Sequence, residues 1–222
     1  MRRELRENGL SIIFGLLFLA TLVGQAVVGL ADRNGAARVD GLAEVDLWRY
    51  VTSSSFAVDV AENWQSEYLQ FTLFILLTVW LVQRGSSESK PPEEAGRSTD
   101  QEERVGAFAP PQAPGPVRRG GTAQALYSVS LVVVMAVIFV LSWAAQAVTG
   151  RVAFNEERFR DLLDPLSLTE YLVHPDFWVR TLQNWQSELL AVGSMTIFAV
   201  FLRQRGSPES KKVGTPHHET EG

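Results

Sequence analysis

The chain lacks cysteine altogether and has only three histidines among its 222 residues. The absence of cysteine excludes disulfides, thiolate metal sites and a cysteine nucleophile. His217 and His218 lie in a polar tail with no third ligand at a suitable spacing, so we expect no metal site. Basic residues number 20 against 25 acidic ones, which argues against nucleic acid as a partner. Since no phosphate loop or nucleophile–base pair is present either, the sequence predicts neither an enzyme nor a cofactor.

What the chain does have is four apolar blocks without a charged residue. The first is 21 residues long, and at about 1.5 Å per residue it covers a hydrocarbon core of roughly 30 Å. We therefore predict an all-α membrane protein with four transmembrane helices, in contact with the lipid bilayer. The spans are expected at about 10–30, 64–83, 126–148 and 185–203.

The first block has an alternative interpretation as a secretory signal. Three arginines precede it, and Gly29, Leu30 and Ala31 resemble a small-residue cleavage site. The repeat within the chain opposes this interpretation, because a segment in the middle of the chain occupies the equivalent position.

The two halves of the chain superpose without a gap when the sequence is shifted by 121 residues. In the segment 63–90, 15 of 28 residues are identical to their counterparts in 184–211. We predict a tandem repeat of two-helix hairpins, since internal repeats define the unit of architecture. The predicted domains are a first hairpin, a flexible cytoplasmic linker rich in proline and glycine, a second hairpin and a disordered tail, at residues 1–84, 85–121, 122–205 and 206–222.

The distribution of basic residues predicts the orientation. The segments expected inside, 1–9, 83–125 and 203–222, hold 13 Lys or Arg in 72 residues, whereas the loops expected outside, 31–67 and 149–188, hold 7 in 77. By the positive-inside rule, both termini and the linker are expected in the cytoplasm. The localisation expected for such a multi-pass chain is the bacterial cytoplasmic membrane.

The run Asn-Trp-Gln-Ser-Glu occurs once in each hairpin, just before a short apolar block. The blocks 68–82 and 189–202 are too short to span a bilayer, so each helix must begin earlier and draw the motif into the outer membrane boundary. At helical spacing, part of the motif forms one polar stripe that we expect to face the protein interior. The stripe comprises Asn63, Ser66, Glu67 and, one turn beyond the motif, Gln70 in the first hairpin, and Asn184, Ser187 and Glu188 in the second.

Each motif has a candidate partner on the preceding helix. Gln25 and Glu67 lie equally far from the inner ends of their spans, and Gln146 is the counterpart of Gln25 in the second hairpin. We hypothesise that each glutamine bonds to its own motif and locks the two spans together. Further residues are predicted to anchor the helices at the membrane interfaces: Trp64 and Trp185 outside, and Arg84 and Arg205, each followed by a helix-capping glycine, inside.

The repeated Asn-Trp-Gln-Ser-Glu, followed one span later by Gln-Arg-Gly-Ser, resembles a family of small bacterial transmembrane proteins known only as a domain of unknown function. The resemblance covers nearly the whole chain apart from the linker and tail. It implies a bacterial cytoplasmic membrane location and brings no activity with it.

Two functions remain open from the sequence. The first is a non-enzymatic structural or interaction protein of the cell envelope, with a homo-oligomer or another membrane protein as a possible partner. The second is a proton- or cation-coupled transporter or channel for a small solute, in which Glu67 and Glu188 form a pseudo-twofold pair at the membrane edge. The second function requires a continuous polar path, for which the short spans offer few side chains.

Overall fold

The structure is a computed structural model that describes residues 7–220, and this part of the chain is helical without any strand. The long helices are α1 (Gly9–Val39), α3 (Ser54–Leu77), α6 (Ser130–Arg160) and α8 (Pro175–Phe201). The short ones are α2 (Leu47–Val51), α4 (Gly115–Arg119), α5 (Gly121–Ser128) and α7 (Leu168–Leu172). Two 3₁₀ turns occur at Pro92–Glu94 and Gly106–Phe108.

Two of the long helices, α1 and α6, are long and apolar enough to cross a membrane. In the most apolar 18-residue stretch of α1 no residue is buried, and in that of α6 only 17% of the residues are buried. Large apolar side chains such as Leu10 and Phe14 are more than half exposed along α1. The other two predicted spans coincide in large part with α3 and α8, which do not reach the same apolar length.

The helices extend beyond the predicted spans at the ends expected outside, and α3 falls short of its predicted span at the end expected in the cytoplasm. We predicted a span that continues to residue 83, but helix α3 ends at Leu77. It ends there because the backbone groups that follow bond to partners outside the helix. In a continued helix the Gln83 amide would bond to the Val79 carbonyl, but it donates to the Ser89 hydroxyl at 2.8 Å, and the Gly96 amide donates to the Val79 carbonyl at 2.7 Å. Both partners of this helical bond are therefore engaged elsewhere.

The chain divides into two compact units, of which the first comprises Met1–Val60 and Ala145–Leu168. Within it, the side chain of Asn34 both accepts from the Val45 amide at 3.0 Å and donates to the Val45 carbonyl at 2.9 Å. Asn155 makes the same two bonds with Leu166, at 2.8 and 2.9 Å, 121 residues further on. The side-chain amide of asparagine offers the same donor and acceptor as a backbone peptide group, so each side chain fixes the loop that follows its helix.

The ends of α1 and α6 share a second feature. The Leu42 amide bonds to the Ala37 carbonyl, and the Leu163 amide to the Arg158 carbonyl, which is the Schellman pattern of a helix end. This pattern requires a left-handed residue, supplied by Gly41 at φ +69°. The equivalent residue 121 positions later is Leu162 at φ +57°, a conformation that is costly for a side chain with a Cβ.

Close packing between α1 and α2 depends on Gly29. A Cβ placed there would overlap the hydroxyl of Tyr50, so only glycine permits this approach. Tyr50 is buried and packs edge-on against Phe56, with ring centroids 5.4 Å apart. Burial, together with the charge of Asp59, raises the pKa of Tyr50.

The second compact unit comprises Ala61–Ala144 and Thr169–Gly222 and contains two loops of the same sequence pattern. In each, the amide of the first glutamine bonds to a serine hydroxyl six residues later, at 2.8 Å for Gln83 and Ser89 and 2.9 Å for Gln204 and Ser210. Lys211, which ends the second pattern, is buried and donates to three backbone carbonyls at 2.8–3.2 Å. The linker and tail thus contain defined contacts, while their flexibility stays a prediction from composition.

One expectation for these loops is wrong in position. Gly85 and Gly206 do adopt φ +85°, but they lie eight and five residues beyond the last residues of α3 and α8. They therefore shape the two loops rather than cap the helices. The neighbouring Arg84 and Arg205 are exposed, as an interfacial position requires, and their anchoring role stays a prediction.

Candidate site between the two motif copies

The two Asn-Trp-Gln-Ser-Glu motifs lie in the middle of α3 and α8, and both belong to the second compact unit. In the first copy, Ser66 is buried, whereas Asn63 and Glu67 are exposed and Gln70 is half-buried. The buried neighbour of Ser66 is Gln65, which is 0% exposed and which we did not place in the stripe. Helix α3 is therefore rotated from the predicted orientation, so that positions 65 and 66 face inward.

In the second copy the burial is different. Asn184, Trp185 and Glu188 are half-buried, and Ser187 is exposed. Ser66 and Ser187 nevertheless bond in the same way, each hydroxyl donating to the carbonyl three residues earlier at 2.9 and 2.8 Å. Gln25 is half-buried and Gln146 is fully buried in the first compact unit, and their pairing with the motifs stays a prediction.

A direct hydrogen bond joins the two motif copies. The indole Nε1 of Trp185 donates to the Oε1 of Gln65 at 2.7 Å, between side chains 120 residues apart in sequence. The Nε2 of Gln65 is buried and has no hydrogen-bond partner among the described residues. Since an unpaired buried amide costs free energy, this bond is the main compensation for burying Gln65.

An aromatic cluster surrounds the donor side of this bond. Trp143 on α6 lies at its centre, with its ring centroid 5.7 Å from that of Trp185 and 6.1 Å from that of Phe177. Trp143 also contacts Phe139 and Trp178 at 5.6 and 6.2 Å. Such pairs each contribute about 0.5–1.5 kcal/mol beyond burial, so the cluster holds the Trp185 indole in place.

Side chains in the first turns of α8, which precede the motif, form a chain of polar contacts with α7 and α3. The hydroxyl of Tyr171 donates to Asp176 at 2.9 Å, and the guanidinium of Arg180 lies 3.5 Å from the same carboxylate. Arg180 also donates to Glu62 on α3 at 3.2 Å, where the Glu62 side chain is only 17% exposed. This ion pair and the Trp185–Gln65 bond join α3 to α8 at two levels.

The electrostatics of this chain of contacts are coupled. Burial alone lowers the pKa of Arg180, but Glu62 and Asp176 together raise it above its ordinary value. Burial raises the pKa of Tyr171, and the hydrogen bond to Asp176 and the charge of that residue raise it further. At neutral pH the phenol of Tyr171 is therefore neutral and the guanidinium of Arg180 is cationic.

The carboxylates of the two motifs also influence each other. Glu67 lies close enough to Glu188 to act on it electrostatically. In residues 7–220 we find no group of three or more His, Cys, Asp or Glu side chains placed to hold a metal ion.

Sequence reasoning missed Gln65, Trp143 and the Arg180–Glu62 pair. Helical periodicity favoured the residues that form a polar stripe, and Gln65 lies outside it. A signal was present, however, because a tryptophan beside a glutamine occurs at the same position in both copies and offers a donor and an acceptor.

The helices and contacts define an all-helical protein with two helices of membrane length and with paired motif copies on α3 and α8. The family model that describes the domain of unknown function DUF6766 matches residues 1–222, so the chain belongs to this family. Among curated proteins and among solved structures, no match was found.

Proposed function

We propose that the protein is a non-enzymatic structural or interaction protein of the bacterial cell envelope, inserted in the cytoplasmic membrane through four spans. The Trp185–Gln65 bond carries the proposal, because it uses the most distinctive side chains of both motifs to join helices. Polar contacts between spans have this role in membrane proteins generally. The exposed apolar surface of α1 supports the membrane location, since soluble monomers rarely expose large apolar patches.

The proposed architecture is a tandem repeat of two hairpins inserted in the same orientation. The recurrence of the Asn34 bonds at Asn155, and of the Gln83 bond at Gln204, supports it. Both pairs are separated by the same 121 residues at which the sequence repeats.

The absence of cysteine allows a direct test of orientation, since single cysteines can be introduced without a background. Ala43 and Asp161 lie in the proposed outer loops, and Gln101 and Thr122 lie in or beside the proposed cytoplasmic linker; all four are exposed. We expect a membrane-impermeant maleimide to label A43C and D161C in intact spheroplasts, and Q101C and T122C only after permeabilisation. Labelling of A43C and D161C from opposite sides would refute the repeat of equally oriented hairpins.

A second function is favoured by one observation, the electrostatic proximity of Glu67 and Glu188. A carboxylate pair at a membrane edge could take up and release a proton or cation. In liposomes, E67Q/E188Q should then abolish a proton or cation flux while the protein stays folded, and the exposed pair E156Q/E157Q should leave it intact. If wild-type liposomes show no flux and E67Q/E188Q reduces only accumulation of the protein, the structural function is supported instead.

A further inference from the structure

A cavity of about 920 Å³ lies within the second compact unit, between helix ends and the segment 90–117. One wall is apolar and comes from the last turns of α3, the residues just after it and the first turn of α6, including Ile75, Val79, Trp80 and Val132. These residues belong to the cytoplasmic ends of the second and third proposed spans. In the proposed membrane placement, the cavity therefore lies where the acyl chains of the inner leaflet meet their headgroups.

The charged part of the lining, which we call the charged wall, comes from the linker. Its basic residues are Lys90, Arg97 and Arg104, and its acidic residues are Asp100 and Glu103. Lys90 donates to the Gly96 carbonyl at 3.1 Å, whereas Arg97 and Arg104 are exposed and form no ion pair within residues 7–220. Two guanidinium groups at the cavity are thus available to an anion.

The combination of an apolar wall and available guanidinium groups indicates the chemistry of the ligand. Guanidinium groups bind phosphate through two parallel hydrogen bonds, and the apolar wall suits hydrocarbon. A soluble anion would leave the apolar wall in contact with water, and a zwitterionic phospholipid would bring its own headgroup cation towards the two arginines. The cavity volume lies in the upper part of the range of ordinary ligand sites.

We propose that this cavity binds an anionic phospholipid of the cytoplasmic leaflet, with its phosphate at Arg97 and Arg104 and its acyl chains along α3 and α6. This inference rests on the proposed membrane location, but not on either proposed function. It would give the linker a defined contact with the bilayer.

Trp80 provides the measurement, because it lines the cavity and brominated acyl chains quench indole fluorescence on contact. The protein is reconstituted in phosphatidylcholine vesicles with a minor share of phosphatidylglycerol, with either lipid brominated in equal amount. Subtraction of the W80F signal isolates Trp80. We expect brominated phosphatidylglycerol to quench Trp80 more strongly than an equal share of brominated phosphatidylcholine.

Variants of the two walls test the site itself. Removing one basic residue near an anionic surface costs about fivefold in affinity, so R97Q/R104Q should remove most of the preference for phosphatidylglycerol. The matched control is R118Q/R119Q, which removes the same charge from exposed linker residues that do not line the cavity. A125L, which places bulk at the cavity wall, should also weaken the preference.

Equal effects of the two arginine pairs would overturn the proposal, because they would show general attraction of a basic linker to the membrane. So would an unchanged preference in A125L, or the absence of any preference in the wild type. Cysteine labelling reports the membrane placement separately. A correctly inserted protein without the preference would therefore refute the lipid site alone.

Discussion

The bond between Trp185 and Gln65 makes a prediction that depends on its chemistry rather than on packing alone. Substituting Trp185 by phenylalanine keeps an aromatic ring but removes the indole N–H. Gln65 is 0% exposed, and the nitrogen of its side-chain amide already has no hydrogen-bond partner. In W185F the amide oxygen would lose its partner as well. An unsatisfied buried polar group costs about 1–3 kcal/mol, and the smaller ring loses roughly another 1 kcal/mol of contacts. We therefore expect W185F to lower the free energy of unfolding by about 2–4 kcal/mol.

A second substitution should restore part of this loss. Methionine at position 65 has a similar length and no amide to satisfy, so Q65M in the W185F background should recover about 1–2 kcal/mol. The free energy of unfolding is measured by reversible denaturation of the purified protein in mixed micelles. A double variant that is no more stable than W185F would refute a hydrogen-bonded, buried Gln65.

The other motif copy supplies the matched control. Gln186 is exposed and Trp64 is 43% exposed, although both occupy the same motif positions as Gln65 and Trp185. Q186M should change the free energy of unfolding by less than about 0.5 kcal/mol, as is usual for surface substitutions. Equal effects of Q65M and Q186M in the wild-type and W185F backgrounds would also contradict the structure.

Three further predictions concern other parts of the chain. R180M leaves the largely buried Glu62 carboxylate without its cation and should cost about 1–3 kcal/mol in the same unfolding assay, with partial recovery in R180M/E62Q. L162G removes a left-handed leucine that is 93% exposed and should raise stability by about 1 kcal/mol, whereas G41L should lower it by a similar amount. Burial raises the pKa of Glu88, so this residue stabilises the folded state below its unfolded pKa and the gain disappears as pH rises through the folded pKa. The melting temperature of the wild type relative to that of E88Q should therefore increase on acidification from neutral pH towards about 4.

Much of the helical architecture follows from local sequence. The apolar runs predict α1 and α6, because a single long apolar segment can satisfy all its backbone hydrogen bonds internally only as a helix. The helix ends are harder to predict, since they depend on contacts made by residues far along the chain. The bond from the Gly96 amide to the Val79 carbonyl beyond α3 is such a contact, and the sequence around Val79 does not predict it.

The candidate site shows where periodicity stops being informative. The spacing of Asn63, Ser66 and Glu67 gives a convincing polar stripe, but it does not say which side of α3 faces α8. That choice is made by the partner side chains, since Trp185 reaches Gln65 only when positions 65 and 66 face inward. The sequence singled out the two motifs, whereas the pairing of Trp185 with Gln65 required the fold.

Identical motifs need not have identical surroundings, and this chain shows why. If both copies were used equally, Gln65 and Gln186 would be equally buried, but one is 0% exposed and the other is exposed. The long apolar helices differ too, because Trp143 on α6 occupies the position equivalent to that of Leu22 on α1, 121 residues earlier. Trp185 therefore packs against a tryptophan that has no counterpart on α1, and the Trp143 cluster holds its indole against Gln65. Exchanging Leu22 and Trp143 should consequently weaken the bond between the copies, although it leaves the composition and both motifs unchanged.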